Sequence, residues 1–422
     1  MKILRFGICA LIVFGVASHG AVEEWSRAAL EIGTILLFLV WAVRNYFVGE
    51  SQIFFPRLLL PLLALFLLAL AQWSFHLTSS SYATRIELLL LLTDILLLFL
   101  AAQVFRSLDE WRGFIWFVMS FGFLVALFGI LQHLTFNGKL YWFREMRYGG
   151  IPFGPYVNRN HFAGFAELVI PMSLVPLVLA KVRRERWVLV TLFALVPIGA
   201  LFLAASRGGI VSFGVELGVI ALWLVLRRAS GKHLLSAAAI LLLSFLMVSW
   251  LGVQQLVNRF SSLQSLEVTA GKRASMRTDA WHIFLDHPWI GTGLGTLPVV
   301  FPHYESLYDG KFVNHAHNDY LEALADTGMV GGLCCAWFLG ILIFESLQRL
   351  SRSPGTFPSS LRLSGLVACF GFLTHSLVDF NLHIPANALL FFLMALLATS
   401  DIDSSTVRRG LRHPAPHAPV NQ

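Results

Sequence analysis

Long apolar runs govern what this chain can become. About twelve of them are strung along the 422 residues, most near the twenty residues that a helix needs to cross a bilayer. They lie at 4–18, 27–46, 57–75, 85–105, 112–134, 161–181, 187–205, 208–227, 233–252, 327–348, 362–380 and 385–400, with short polar stretches between most of them. The runs are continuous. That excludes a transmembrane β-barrel, whose strands alternate over segments of about ten residues. Charged residues make up 13% of the chain, about half of what a soluble domain carries. With 36 Phe and 12 Trp as well, a soluble enzyme, a disordered chain and a coiled coil are excluded. The expected fold is all-α and polytopic, with about 12 transmembrane helices and a long outer loop containing short helices. Residues 1–405 read as a single membrane domain, and the Pro-, Arg- and His-rich segment 406–422 as a disordered tail. The first run follows Lys2 and Arg5 and ends in Val16-Ala17-Ser18, which also fits a signal peptide. The expectation is a retained helix.

Positive charge orients the chain. With the N-terminus inside, Arg44, Arg57, Arg106, Arg112, Lys181, Arg183, Arg184, Arg186, Arg227, Arg228, Lys232, Arg349, Arg352 and the basic tail all fall on the cytoplasmic side. Two long loops, about 135–160 and 253–318, then face outward and hold nearly all the remaining cations. The net charge of +7 is therefore a topology signal and gives no reason to expect nucleic acid. Cys9, Cys334, Cys335 and Cys369 lie in apolar segments without a CxxC pair, so they read as small core residues. Gly291-Thr292-Gly293-Leu294-Gly295 looks like a nucleotide loop only superficially, because it opens no GK[ST] helix. A turn at the membrane surface is the better reading.

Dense polarity marks the end of the second outer loop, Asn314-His315-Ala316-His317-Asn318-Asp319-Tyr320-Leu321-Glu322. Asp319 and Glu322 have capping-box spacing, so a helix should start near Asp319. A helix N-terminus favours anions and keeps a nearby imidazole neutral, so His317 can serve as a general base. Two other readings stay open: a His-x-His metal site with Asp319 or Glu322 as oxygen ligands, and a cap with solvated histidines. Arg207, in Ser206-Arg207-Gly208-Gly209, sits between two apolar runs. It either snorkels to the surface or, with glycines allowing close backbone approach, meets a ligand. Arg277 precedes Trp281 and Trp289, which suit an interfacial amphipathic segment. Arg159 and His161 open the sixth run. His375 and Asp379 are spaced i, i+4 near the end of the eleventh, either as a structural pair or as part of a site. These clusters share the outer face. Arginines that grip phosphate, a candidate base and a membrane boundary suit an anionic, membrane-bound substrate such as a lipid diphosphate.

At this point the sequence resembles the bacterial O-antigen ligase and O-antigen polymerase family. His317-Asn318, nine residues and then Gly328-Met329-Val330-Gly331 match that family's signature, and Arg277…Trp281…Pro288…Gly291-x-Gly293-x-Gly295 matches the segment before it. The resemblance implies a metal-independent, inverting glycosyltransferase of the bacterial inner membrane with its site facing the periplasm. Such an enzyme passes a glycan from undecaprenyl diphosphate to an acceptor hydroxyl, on another lipid-linked unit or on the lipid A core. No cofactor is implied, and membrane lipids are the surroundings. By matching position, His317 would deprotonate the acceptor, and Arg207 and Arg277 would hold the donor diphosphate. Arg159, His161, His315, Asn318, His375 and Asp379 are further candidates. Polymerase is the preferred reading and ligase the alternative. A transporter or flippase of an amphipathic anion is the rival from another class. Charges midway along the helices would favour it, and Asp94 is the main one visible.

Overall fold

The computed structural model describes residues 1–49, 52–145, 151–179, 181–228, 263–352 and 355–402, with scattered positions between 231 and 246. Most of the ninth apolar run, with Arg147, Lys232, Arg259 and the tail 406–422, lies outside the described residues. Among those described, thirteen α-helices and no strands are present: α1 (Lys2–Ala17), α2 (Glu24–Val48), α3 (Leu59–Ser74), α4 (Ser81–Val104), α5 (Leu108–Leu134), α6 (Arg159–Val178), α7 (Trp187–Ala204), α8 (Arg207–Leu226), α9 (Leu263–Asp286), α10 (Leu297–Val300), α11 (Asp319–Arg352), α12 (Phe357–His375) and α13 (Pro385–Thr399). Eight are long and apolar enough to cross a membrane, and α3 and α13 are shorter apolar helices. The protein is an all-α polytopic membrane protein.

Local chemistry sets the helix starts. Ser107 and Glu110 form a capping box on α5, and Ser80, Asn158, Ser206 and Thr356 each cap a helix with a side-chain oxygen. Helix α6 is buried from His161 to Val178, although Pro171 and Pro176 interrupt its backbone hydrogen bonds. It is enclosed by α5, α7, α8, α12 and α13, and a helix hydrophobic all round belongs in such a position. The wholly buried α13 is a second central post. By contrast α2 is buried over only 22% of its span and presents a broad apolar face to the lipid side. Helix α1 turns Leu4, Ile8, Ile12 and Val16 into the core, where α1 meets α2 and α13.

One feature goes beyond the sequence reading, and one expectation needs correction. Helix α11 breaks at Gly328, which has φ 62° and ψ −162°. A Cβ there would lie 2.4 Å from the carbonyl carbon of Trp289, so only glycine allows the 288–291 backbone to pass and accept the amides of Met329 and Val330. The glycine-rich turn is thus stitched into the break: the Gly293 amide donates to the Asp326 carbonyl at 2.9 Å and the Gly295 amide to Asp326 Oδ2 at 2.8 Å. Gln72 of α3 braces the same turn through Ile290 and Leu294. The correction concerns α12. It ends at His375 rather than continuing to 380, so His375 and Asp379 do not share a helix face.

Candidate functional site

Three helix N-termini meet one helix C-terminus at the end of the bundle where α12 stops. The α11 start is tied to it by the Asp319 amide donating to the Ser376 carbonyl at 3.0 Å. The α6 start is tied by Asn160, whose amide nitrogen donates to Asp379 Oδ2. The α8 start is seated against it: a Cβ on Gly208 would lie 2.5 Å from the His375 ring. Helix N-termini carry partial positive charge, so their convergence favours an anion.

His317 stands in the middle. Its Nδ1 lies 3.2 Å from Asp379 Oδ1, and its side chain is 22% exposed against 1% for the carboxylate. The residue has φ 50°, a left-handed conformation uncommon for a side chain with a Cβ. Burial alone would raise the Asp379 carboxyl. The hydrogen bond and charge of His317, with His161 and His375 nearby, outweigh it and hold the group well below the usual carboxylate range. The Phe380 amide adds a 3.0 Å hydrogen bond to Oδ1. A carboxylate bound to Nδ1 selects the tautomer that leaves Nε2 as the proton acceptor.

The neighbouring imidazoles are held differently. His315 Nδ1 meets Glu322 Oε1 at 2.8 Å, and its ring stacks on Phe380 with centroids 4.2 Å apart. Phe380 also packs against His161 and His317, so one phenyl ring spaces three imidazoles. His383 Nδ1 lies 2.8 Å from Asp319 and Nε2 3.3 Å from Glu322. Burial opposes its charge, yet these two carboxylates push its value up to about 10. His375 is fully buried and bonds Glu167 on α6 at 2.8 Å.

Asn318, not Asp319, caps α11. Its Oδ1 accepts from the Tyr320 and Leu321 amides, while Nδ2 donates to the Leu377 carbonyl. The capping box fails because the third helical residue is Leu321, and Asp319 and Glu322 turn to His383 and His315 instead. His315, Glu322 and His383 bring one ligand atom each within 4.8 Å of one another. His383 has both ring nitrogens engaged by carboxylates, as in an ion-pair knot, and the three residues also have the donor types of a cation site.

Arg207 is exposed at the first position of α8, and the adjacent glycine is filled by His375 and Val378. The close approach that glycine permits is therefore to protein, and it sets Arg207 beside the 375–379 turn. Arg277 is half-buried on α9. Met276 and Ala280 share a small core with Val313 and Ala316, so Arg277 lies on the helix alongside the His315–His317 segment. Arg277 forms no hydrogen bond or ion pair among the described residues. Arg159 is partly buried with Nη1 unpartnered, as is Nε2 of His161. Of the other cations in the two long loops, Arg144 pairs with Glu23 and Lys272 with Asp309.

The sequence reading held Asn160, Phe380 and His383 inside its polar clusters without giving them a role, and it missed Glu167 as the His375 partner. It also missed Glu216, a fully buried carboxyl midway along α8 packed against Gly371. The cluster of polar residues through Asn381-Leu382-His383 was the available signal.

Residues 168–336 match the family described as O-antigen ligase. The chain is also 26% identical over 319 residues to the teichuronic acid biosynthesis protein TuaE of Bacillus subtilis (strain 168), a stretch covering 72% of this chain and 62% of that relative's length. The family match ends within α11, so it takes in Arg207, Arg277 and His317 together. Both similarities agree with the resemblance to the O-antigen ligase and polymerase family read from the sequence.

Proposed function

We propose that this protein transfers a glycan from undecaprenyl diphosphate to the hydroxyl of a second lipid-linked glycan, lengthening a polysaccharide at the periplasmic face of the bacterial inner membrane. The His317–Asp379 pair carries the reading. Its acid is wholly buried and its base partly open, as in the His315–Glu322 and His383–Asp319 pairs, but His383 has both ring nitrogens engaged and the His315 ring is stacked on Phe380.

The acceptor O–H bond breaks as its proton passes to His317 Nε2. The freed oxygen attacks the anomeric carbon, and the bond from that carbon to phosphate breaks with its electron pair leaving on the diphosphate. Attack opposite the leaving group inverts the centre. Asp379 stabilises the imidazolium that forms. Arg207, Arg277 and the N-termini of α6, α8 and α11 neutralise the departing charge, so no metal is needed. An apolar cavity of about 210 Å³ between α11 and α12, lined by Tyr320, Leu342, Cys369, Phe370, Leu373 and Leu377, supports a prenyl tail entering from the lipid side. Its upper residue, Leu377, is the one that Asn318 grips.

The name of the B. subtilis relative concerns teichuronic acid biosynthesis, and polymerase remains the preferred reading over joining to the lipid A core. Purified protein given lipid-linked oligosaccharide, with and without lipid A core, separates the two on a gel. Longer oligosaccharide without the core supports the polymerase. Product only with the core makes it a ligase. Glu167 and Glu216 lie midway along their helices, the feature expected of the rival carrier. Buried acids repel an anionic cargo, however, and Glu167 is engaged by His375. Movement of labelled lipid diphosphate across proteoliposomes without any glycan product would favour that carrier.

A further inference from the structure

A second cavity, of about 490 Å³, lies at the other end of the same helices. Helix α6 runs from His161 at the site to Pro176 at this cavity, and α12 runs from Leu361 here to His375 there. At 1.5 Å per residue each path rises about 20 Å, most of a hydrocarbon core of about 30 Å. The cavity therefore serves the opposite leaflet.

Its walls divide by chemistry. Met119, Met172 and Leu361 form part of a buried apolar floor. Arg112, Lys181, Arg183 and Arg186 also line it, and the three arginines are exposed at its mouth. Two of the arginines are fixed over aromatic rings. The Arg186 guanidinium sits 5.3 Å from the Trp116 ring and that of Arg112 5.3 Å from Phe357. Against these cations stand Asp109, which takes one contact from Arg112, and the exposed Glu185. The mouth stays positive. Pro176 helps form the hollow: α6 ends two residues beyond it, and its carbonyl accepts the Lys181 amide at 2.8 Å, folding the chain back across the opening.

We propose that this cavity binds an anionic glycerophospholipid, with the phosphate among the four cations and the upper acyl carbons on the apolar floor. A soluble anion would leave that floor wet, and a zwitterionic lipid would leave the cations poorly matched. The proposal goes beyond the transferase reading and does not depend on it.

Delipidated full-length protein in neutral detergent is titrated separately with phosphatidylglycerol, phosphatidylcholine and undecaprenyl phosphate, and bound lipid is counted by native mass spectrometry. Phosphatidylglycerol should be held about tenfold more tightly than phosphatidylcholine. Arg183→Gln combined with Arg186→Gln should abolish that preference at an unchanged unfolding temperature. Val182→Trp, which narrows the mouth and keeps every cation, should also lower retention. Equal retention of the two phospholipids, or unaltered preference in the arginine variant, would overturn the proposal. So would displacement of phosphatidylglycerol by equimolar undecaprenyl phosphate, which would assign the cavity to the prenyl lipid.

Discussion

Among the described residues, two of the imidazole–carboxylate pairs, His317 with Asp379 and His375 with Glu167, differ mainly in exposure. His317 and Asp379 meet at 3.2 Å with the imidazole 22% exposed; His375 and Glu167 meet at 2.8 Å with both side chains at 1% or less. The buried pair ties α12 to α6 in the bundle interior, where an unpaired polar group is costly. The open pair ties a loop to a turn and leaves one ring nitrogen for a substrate. A carboxylate beside an imidazole is therefore no sign of catalysis by itself. Access decides.

Substitution should separate the two pairs most sharply. His317→Ala should lower turnover by about 10²–10⁴-fold, the usual worth of a general base, while the protein still accumulates in the membrane. His375→Ala should instead reduce accumulation, because it leaves Glu167 buried without its partner. Turnover assays normalised to protein on immunoblots check both.

The arginines come next. Arg207→Ala and Arg277→Ala should each cost about 10²–10³-fold, seen as weaker use of the lipid donor rather than of the acceptor. Lysine should restore little, since it lacks the planar fork. Full rescue by lysine in a donor titration would remove the bidentate role.

Asp379→Asn tests whether the acid matters through the imidazole. Misplacing and mis-tautomerising His317 should cost about 10–100-fold, with the acceptor-limited rate shifting in its pH profile. Glu167→Gln, which preserves shape and a hydrogen bond, should leave that profile in place.

A smaller effect concerns stability. The folded-state value of His383, pushed up to about 10, lies above the ordinary 6.5. Its ion pairs thus contribute stability that is fully present below about pH 6.5 and lost as pH rises through about 10. Thermal unfolding in detergent should show the wild type losing stability over that window and His383→Gln losing less. EDTA should change turnover least of all, because the arginines already neutralise the leaving group. Loss in chelator with recovery in one divalent ion would make His315, Glu322 and His383 a metal site.

Much of this was legible in the sequence, and the exceptions have physical causes. Apolar runs report spans directly, so α2 to α8 fall within a few residues of expectation. His317, Arg207 and Arg277 stood out because polar residues at an apolar boundary need a reason. Asp379 was visible but misassigned to His375: i, i+4 spacing means contact only while the helix continues, and α12 stops at His375. Its actual partner is 62 residues away in sequence. Glu167 and Glu216 were hidden inside apolar runs that average hydropathy over them. Asn318 outcompeted Asp319 as the cap because the box needs Glu or Gln at the third helical position, and that residue is Leu321.

The most direct test of the central claim is chemical rescue. Purified His317→Ala and His375→Ala proteins, reconstituted in the same liposomes with lipid-linked oligosaccharide, are assayed with and without free imidazole. A base at His317 predicts that imidazole restores turnover to His317→Ala and does nothing for His375→Ala. Near-normal turnover of His317→Ala without imidazole, or rescue confined to His375→Ala, would contradict the account and move the base elsewhere.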